Sequence, residues 1–326
     1  MRKCKNLLCS LLFLTILVGL LAAGSHLVKP KNNEKESGMH NARATGFLTE
    51  RENSLDYVVI GDSETYSSMS PMQLWQDYGY TGYICGTPAQ HIEDTLGYLQ
   101  EFCEVQKPKL VIFEANALYR SSGIQEDVSR ILSRSLEKTL PIFEYHDRWK
   151  SLSASDIGHV NYTWRNYLKG FVPTWKSKPW TGESAYMKKT DKVRDIQQIN
   201  QYYFGQIASF CQERNIPLLL VNVPAPVNWN YQKHNGVKQL AKSYDVPYYD
   251  MNLRSEKMNI DWNGDSRDGG DHMNVYGAQK VTHFLGKYLA KHYDLPDHRE
   301  DPAYSSWNED LEKYQVTVTG KMSGNS

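Results

Sequence analysis

The chain has 326 residues, with 37 basic and 37 acidic side chains, so its formal net charge is zero. That length holds one sizeable α/β domain with flanking segments. The balanced charge argues against a nucleic-acid partner, which normally meets a basic patch or stripe. The cysteines beyond the N-terminal apolar run are Cys85, Cys103 and Cys211, an odd set with no Cys-x-x-Cys pair. They indicate neither a disulfide framework nor a zinc site, and a Cys85–Cys103 bridge has no support in the spacing. No P-loop, dinucleotide fingerprint or metal-ligand cluster occurs, so no cofactor is expected.

In chain order, Arg2, Lys3 and Lys5 precede an uncharged, leucine-rich run from Leu7 to Gly24. Its ~18 residues sit at the lower edge of what spans a bilayer, with the basic flank on the cytoplasmic side. Residues 1–28 read as a membrane anchor or as a signal segment cleaved near Ala22-Ala23-Gly24-Ser25. The anchor is favoured, because the run is longer than a usual signal core; either reading places the remainder outside the cytoplasm. Residues 29–53 are polar and read as a linker.

From residue 54 the pattern alternates strand and helix. Tyr57–Ile60 is a continuous apolar run, as expected of a strand buried on both faces. Tyr80–Cys85 and Leu110–Phe113 follow as strands, separated by a helix over Ile92–Val105. A helix over Val128–Leu140 carries apolar Val128, Ile131, Leu132 and Leu136. Residues 141–190, rich in Trp and Tyr, break the alternation and read as an insertion. Trp149, Trp164, Trp175 and Trp180 there suit either a glycan groove or a lid with its own small core. The alternation resumes with a helix over Asp191–Asn215 and a strand over Ile216–Val223. A helix around Gly236–Tyr244, a strand over Val246–Asp250 and a helix over Val275–His292 complete it. Residues 293–326 read as a polar tail that frays. Such alternation implies a parallel sheet between helix layers, with ligands at the carboxyl ends of the strands.

Two motifs carry chemistry. Gly61-Asp62-Ser63 ends the first strand in a turn that presents a serine, although Asp-Ser after a strand is also a common helix cap. Asp268-Gly269-Gly270-Asp271-His272 places a histidine beside two carboxylates at the mouth of the last helix. A serine hydroxyl becomes a nucleophile only when a base within hydrogen-bond reach takes its proton.

Together and in this order the motifs resemble the SGNH/GDSL hydrolase family. Gly61-Asp62-Ser63 matches its first block, Gly86 after the second strand its second, and Asn116 after the third strand its third, with Ala115 where a glycine usually stands. His272 matches the histidine of the last block, but the aspartate expected three residues earlier is replaced by Gly269. The resemblance implies a three-layer α/β/α sandwich around a five-stranded parallel, flavodoxin-like sheet spanning residues 54–292. It also implies Ser63 as nucleophile, His272 as base, and an oxyanion hole from the Ser63 and Gly86 backbone N–H groups and the Asn116 amide. Asp268 is favoured as the orienter of His272, because adjacent side chains usually point apart; Asp271 is the alternative. The runs Ser63–Ser67, Thr87–Gln90 and Asp271–Ala278 are similar to an extracytoplasmic, membrane-anchored bacterial branch that includes alginate O-acetylation proteins and the teichoic acid D-alanyl transfer protein. That likeness implies O-acyl transfer to a cell-envelope polysaccharide, with a multipass membrane O-acyltransferase as partner. A plain esterase or deacetylase acting on acylated polysaccharide or a small acyl ester is one alternative. A non-catalytic polysaccharide-binding or scaffold subunit is the other. Gln90 reads as a site-lining or a surface residue.

Overall fold

The computed structural model describes residues 2–182 and 186–322. Five strands form one parallel sheet: β1 (Tyr57–Gly61), β2 (Gly82–Gly86), β3 (Leu110–Glu114), β4 (Leu218–Asn222) and β5 (Tyr248–Asp250), in the order β2-β1-β3-β4-β5. Every residue of β1 to β4 is buried. Both faces are therefore covered, which is why these strands read as unbroken apolar runs rather than alternating ones. The register pairs Gly61 with Gly86, so the ends of β1 and β2 lie level. Strand order reverses at β1, between β2 and β3. A doubly wound sheet opens a crevice at such a switch point, outside the strands' carboxyl ends.

The chain divides into two compact units. The larger comprises residues 43–120 and 165–326 and contains the sheet. On one face, α4 (Ile92–Val105) packs against β1 and β2 and against α7 (Gln198–Glu213). On the other, α2 (Ser63–Ser68) and α3 (Pro71–Tyr78) pack with α9 (Val275–His292). Helix α8 (Tyr231–Ser243) flanks β5. This is the α/β/α sandwich expected from the alternation.

Three domain boundaries differ from the sequence reading, and the helix expected over Asp191–Asn215 begins only at Gln198. Residues 43–53 are not linker: Ala44 and Phe47 are fully buried, and Phe47 packs on Tyr83 and Phe102. Nor does the C-terminal segment fray throughout. Residues Ser305–Met322 form α10, whose Trp307, Tyr314 and Val318 are buried, with Trp307 against Trp75 at 5.4 Å between ring centroids. Residues 323–326 lie outside the described part. The insertion is split between units. Residues up to 164 belong to the smaller unit and residues from 165 to the larger, with 183–185 outside the description.

The smaller unit comprises residues 1–42 and 121–164. It contains α1 (Arg2–Val28), α5 (Ile124–Thr139) and α6 (Ile142–Tyr145). Over Lys3–Val28, α1 is long and apolar enough to cross a membrane. Among the described residues every cysteine is free, and Cys85 and Cys211 are buried small hydrophobes.

Candidate active site

Strand β1 delivers the serine. Gly61, at its last position, has φ +144°, and a Cβ there would lie 2.9 Å from Thr65 Cγ2 and 3.1 Å from Glu114 Cβ, so only glycine turns the chain at this point. Asp62 then caps α2, its carboxylate accepting from the Glu64 N–H at 3.1 Å. Ser63 is the first residue of that helix and is 8% exposed.

The histidine arrives on the loop before α9. Asn274 caps that helix by accepting from the Tyr276 and Gly277 N–H groups. Its amide also donates to Ser177 Oγ at 2.9 Å. The loop brings His272 Nε2 to 2.7 Å from Ser63 Oγ. On the other side of the ring, Nδ1 lies 2.7 Å from Asp268 Oδ2, while the second Asp268 oxygen accepts from the His272 backbone N–H at 2.8 Å. One carboxylate thus holds both ring and backbone. The extra residue relative to the usual spacing is absorbed by Gly269 and Gly270, at φ +86° and +94°, which fold the chain back so that Asp268 reaches the ring. Burial pushes the Asp268 carboxyl up, but the hydrogen bonds from His272, the imidazole charge and the Arg267 hydrogen bond outweigh it and hold it at about 2. Asp271 lies farther away, with Oδ2 3.4 Å from Nδ1, and its other oxygen accepts from Asn228.

Gly86 and Asn116 lie at the ends of β2 and β3, on either side of β1. A Cβ on Gly86 would sit 2.2 Å from Thr65 Oγ1 and 3.1 Å from the Asp62 carbonyl, so glycine lets β2 close against the serine turn. The Asn116 amide donates one hydrogen to Asp62 Oδ2 at 3.1 Å, leaving its second as a donor. Gln90 is neither surface nor site: it is buried and ties Thr87 and Cys85 at the end of β2 to Thr95 on α4.

Beneath the serine lies a set of buried acids that the sequence reading missed. Asp62, Glu64 and Glu114 are 0, 1 and 1% exposed. Arg120 answers the Asp62 charge at 2.7 Å. Burial, and then the neighbouring Asp62 charge, push the carboxyls of Glu64 and Glu114 well above the usual carboxylate range. Glu114 accepts from the Asn116 N–H and the Asn222 amide, both at 3.0 Å. Glu64 accepts from Asn228 at 2.9 Å, and Asn228 also reaches Asp271. The available signal was Glu114 at the end of an apolar strand, because an acid there must be paired or protonated.

The later part of the insertion straps the two motifs together. Val172 N–H donates to the Tyr66 carbonyl on α2, and Val275 N–H to the Thr174 carbonyl, at 2.9 and 2.8 Å. Lys178 N–H then donates to Ser266 and Trp180 N–H to Trp262, at 2.9 and 3.0 Å. Trp180 stands edge-on to Tyr186 and Trp262, and a Cβ on Gly270 would lie 2.8 Å from its ring. Trp175 packs on the core. Trp149 and Trp164 belong to the smaller unit, so the four tryptophans divide between the two.

No family model and no curated protein matches the chain. Among solved structures it is similar to a lipase/acylhydrolase from Enterococcus faecalis, with 13% identity over 74% of this chain and 98% of that one and a TM-score of 0.39. It is also similar to a GDSL-like lipase from Bacteroides thetaiotaomicron (14% identity, 72% and 87% covered, TM-score 0.37). An acetyl xylan esterase gives 13% identity, 72% and 98% covered and a TM-score of 0.37. Likenesses this distant carry no weight for what the site does.

Proposed function

We propose that the protein is a serine-dependent acyltransferase of the SGNH type, anchored at the membrane with its domain outside the cytoplasm. Its substrate would be a cell-envelope or extracellular polysaccharide. The observation that carries the chemistry is the unbroken hydrogen-bonded line from Asp268 through His272 to Ser63, with 2.7 Å at each step. Ser63 Oγ attacks an acyl ester carbonyl while His272 Nε2 takes its proton. The imidazolium is held by ionised Asp268 and returns that proton to the departing alcohol, leaving acyl-Ser63. An acceptor hydroxyl then loses its proton to His272 and takes the acyl group, and as the acyl–Oγ bond breaks His272 returns that proton to Ser63 Oγ. Donors at the Ser63 and Gly86 backbone and the second hydrogen of the Asn116 side-chain amide would receive the oxyanion, each worth about 3 kcal/mol of barrier. The raised carboxyls of Glu64 and Glu114, with Asp62 matched by Arg120, limit the negative charge beneath that oxyanion. The polysaccharide acceptor rests on the branch resemblance of the motifs, and the extracytoplasmic placement on the apolar N-terminal helix.

The test is intact-mass analysis of the full chain incubated with p-nitrophenyl acetate. An acetyl adduct on wild type, absent from Ser63→Ala and His272→Ala, is expected. No adduct and no turnover from folded wild type would move the reading to a polysaccharide-binding or scaffold subunit. An adduct discharged by added acylatable polysaccharide faster than by water separates transfer from hydrolysis.

A further inference from the structure

The sequence pattern of α5 calls for a buried apolar face, yet the structure leaves that face open. Ile124, Val128, Leu132 and Leu136 recur at every fourth position, one above the next on a helix, and are 79, 47, 65 and 45% exposed. The opposite face carries Glu126, Ser129, Arg130, Ser133, Arg134 and Glu137. A helix with a wide apolar stripe and a charged back normally buries the stripe. What lies beside it indicates the occupant.

Residues 3–20 of α1 are exposed, whereas Ser25 and Val28, in its last two turns, are buried. Those turns are covered by α6 and the segment after it. The Ile142 N–H donates to Ser25 Oγ at 3.1 Å, a Cβ on Gly24 would lie 2.8 Å from Ile142 Cδ1, and Arg148 donates to the Val28 carbonyl. Arg148 is in turn held by Asp156 at 2.6 Å. The free part of α1 is ~27 Å long at about 1.5 Å per residue, close to the ~30 Å of a hydrocarbon core. With α1 as a membrane anchor, its packed turns would fall where the helix leaves the lipid, and α6, which also packs on α5, would lie at headgroup depth. Phe143 and Trp149, both exposed, add the aromatic residues typical of that depth.

We propose that α5 is an interfacial helix, its Ile124–Leu136 stripe sunk into the outer headgroup–acyl boundary beside the point where α1 emerges. Three acids, Glu126, Asp127 and Glu137, balance three bases, Arg130, Arg134 and Lys138. The attraction is therefore apolar and needs no anionic lipid. The smaller unit becomes a seat on the membrane, fixed at two places instead of one. The inference shares with the proposed function only the reading of α1 as an anchor.

The experiment uses the full chain in phosphatidylcholine nanodiscs. Leu132→Cys and Ser133→Cys, each in a Cys4→Ser, Cys9→Ser background, carry a nitroxide label, and the background alone reports labelling of the native cysteines. Power saturation compares collisions with oxygen, which concentrates in lipid, and with a water-soluble nickel chelate. The account expects the Leu132 label to favour oxygen several-fold and the Ser133 label to favour nickel, with no change when anionic lipid is added. Nickel access at both positions puts α5 in water and overturns the proposal. Shielding of Leu132 from both reagents means a protein partner, such as a second copy, and overturns it equally. Release of the chain by alkaline carbonate removes the anchor and the interface together. Acyl-Ser63 formation, read on the same preparation, is indifferent to all these outcomes, so failure of the chemistry and failure of the interface are separable.

Discussion

Gly269 and Gly270 allow one carboxylate to serve His272 twice, at the ring and at the backbone, and the consequence is measurable at single residues. Asp268→Asn removes the acceptor that fixes the ring tautomer, and a loss of about 10⁴-fold in kcat is expected. Asp271 sits 3.4 Å from the ring and is shared with Asn228, so Asp271→Asn is expected to cost within ~10-fold, since it removes no tautomer-fixing bond. Ester-hydrolysis kinetics of the two variants decide between them, and the reverse ranking would make Asp271 the orienter. Sequence reasoning reached Asp268 from the tendency of neighbours to point apart, but nothing in the one-dimensional pattern gave the loop conformation. A second residue-level test concerns Glu64, whose folded pKa is raised. The native state keeps a proton that the unfolded chain releases above about pH 4.3. Stability from this group is full below that pH and drains as the pH rises toward the folded value. Glu64→Gln keeps an acceptor for Asn228 and carries no such proton. Its Tm is expected to fall less than that of wild type between pH 5 and 8; parallel curves would show Glu64 ionised in the fold.

The strands and the loop motifs were legible because burial on both faces forces continuous apolar runs, and because few residue types close a glycine turn. Other elements hid for equally physical reasons. The seam of α10, Trp307, Leu311, Tyr314 and Val318, has clear helical spacing, but its polar surroundings lower the mean hydropathy and made the segment read as tail. Phe47 is anchored with only Ala44 and Leu48 beside it in a polar run, with no period to betray it. The spacing predicts helix α5, yet its apolar stripe stays exposed. The strap over residues 171–180 has no regular secondary structure, and its role rests on backbone hydrogen bonds that no side-chain pattern encodes. Its contact with the histidine loop is the element to test. Gly270→Ala places a Cβ at a left-handed φ and against Trp180. A stability loss of at least about 1–2 kcal/mol is expected from the backbone alone, with a collapse in kcat as His272 leaves the Ser63 line. Unchanged kcat would mean that the loop is positioned independently of this packing.

Across the larger unit, one buried cation ties three distant stretches of chain together. Lys169 is fully buried, with its ammonium 2.6 Å from Glu50, 2.7 Å from Asp310 and 4.5 Å above the Trp307 ring. Arg165 adds a second bond to Asp310, at 2.5 Å. The segment before β1, the start of the strap and α10 are thus clasped at one point. Removing one partner of such a buried set leaves charge uncompensated and costs about 3–5 kcal/mol. Lys169→Met should therefore lower the urea midpoint sharply, while the partly exposed Lys313, 3.8 Å from Asp310, should tolerate substitution within about 0–1 kcal/mol. Equal tolerance at both positions would show that the clasp adds little to stability. No composition argument reveals such a clasp, because each of its members reads as an ordinary surface charge.

The most direct test of the whole account is labelling of the folded chain with a fluorophosphonate, followed by peptide mass mapping. The account predicts a single adduct on Ser63, strongly slowed in His272→Ala and in Asp268→Asn. A chain that takes no label, or takes it at another serine, would contradict the assignment of Ser63 as nucleophile.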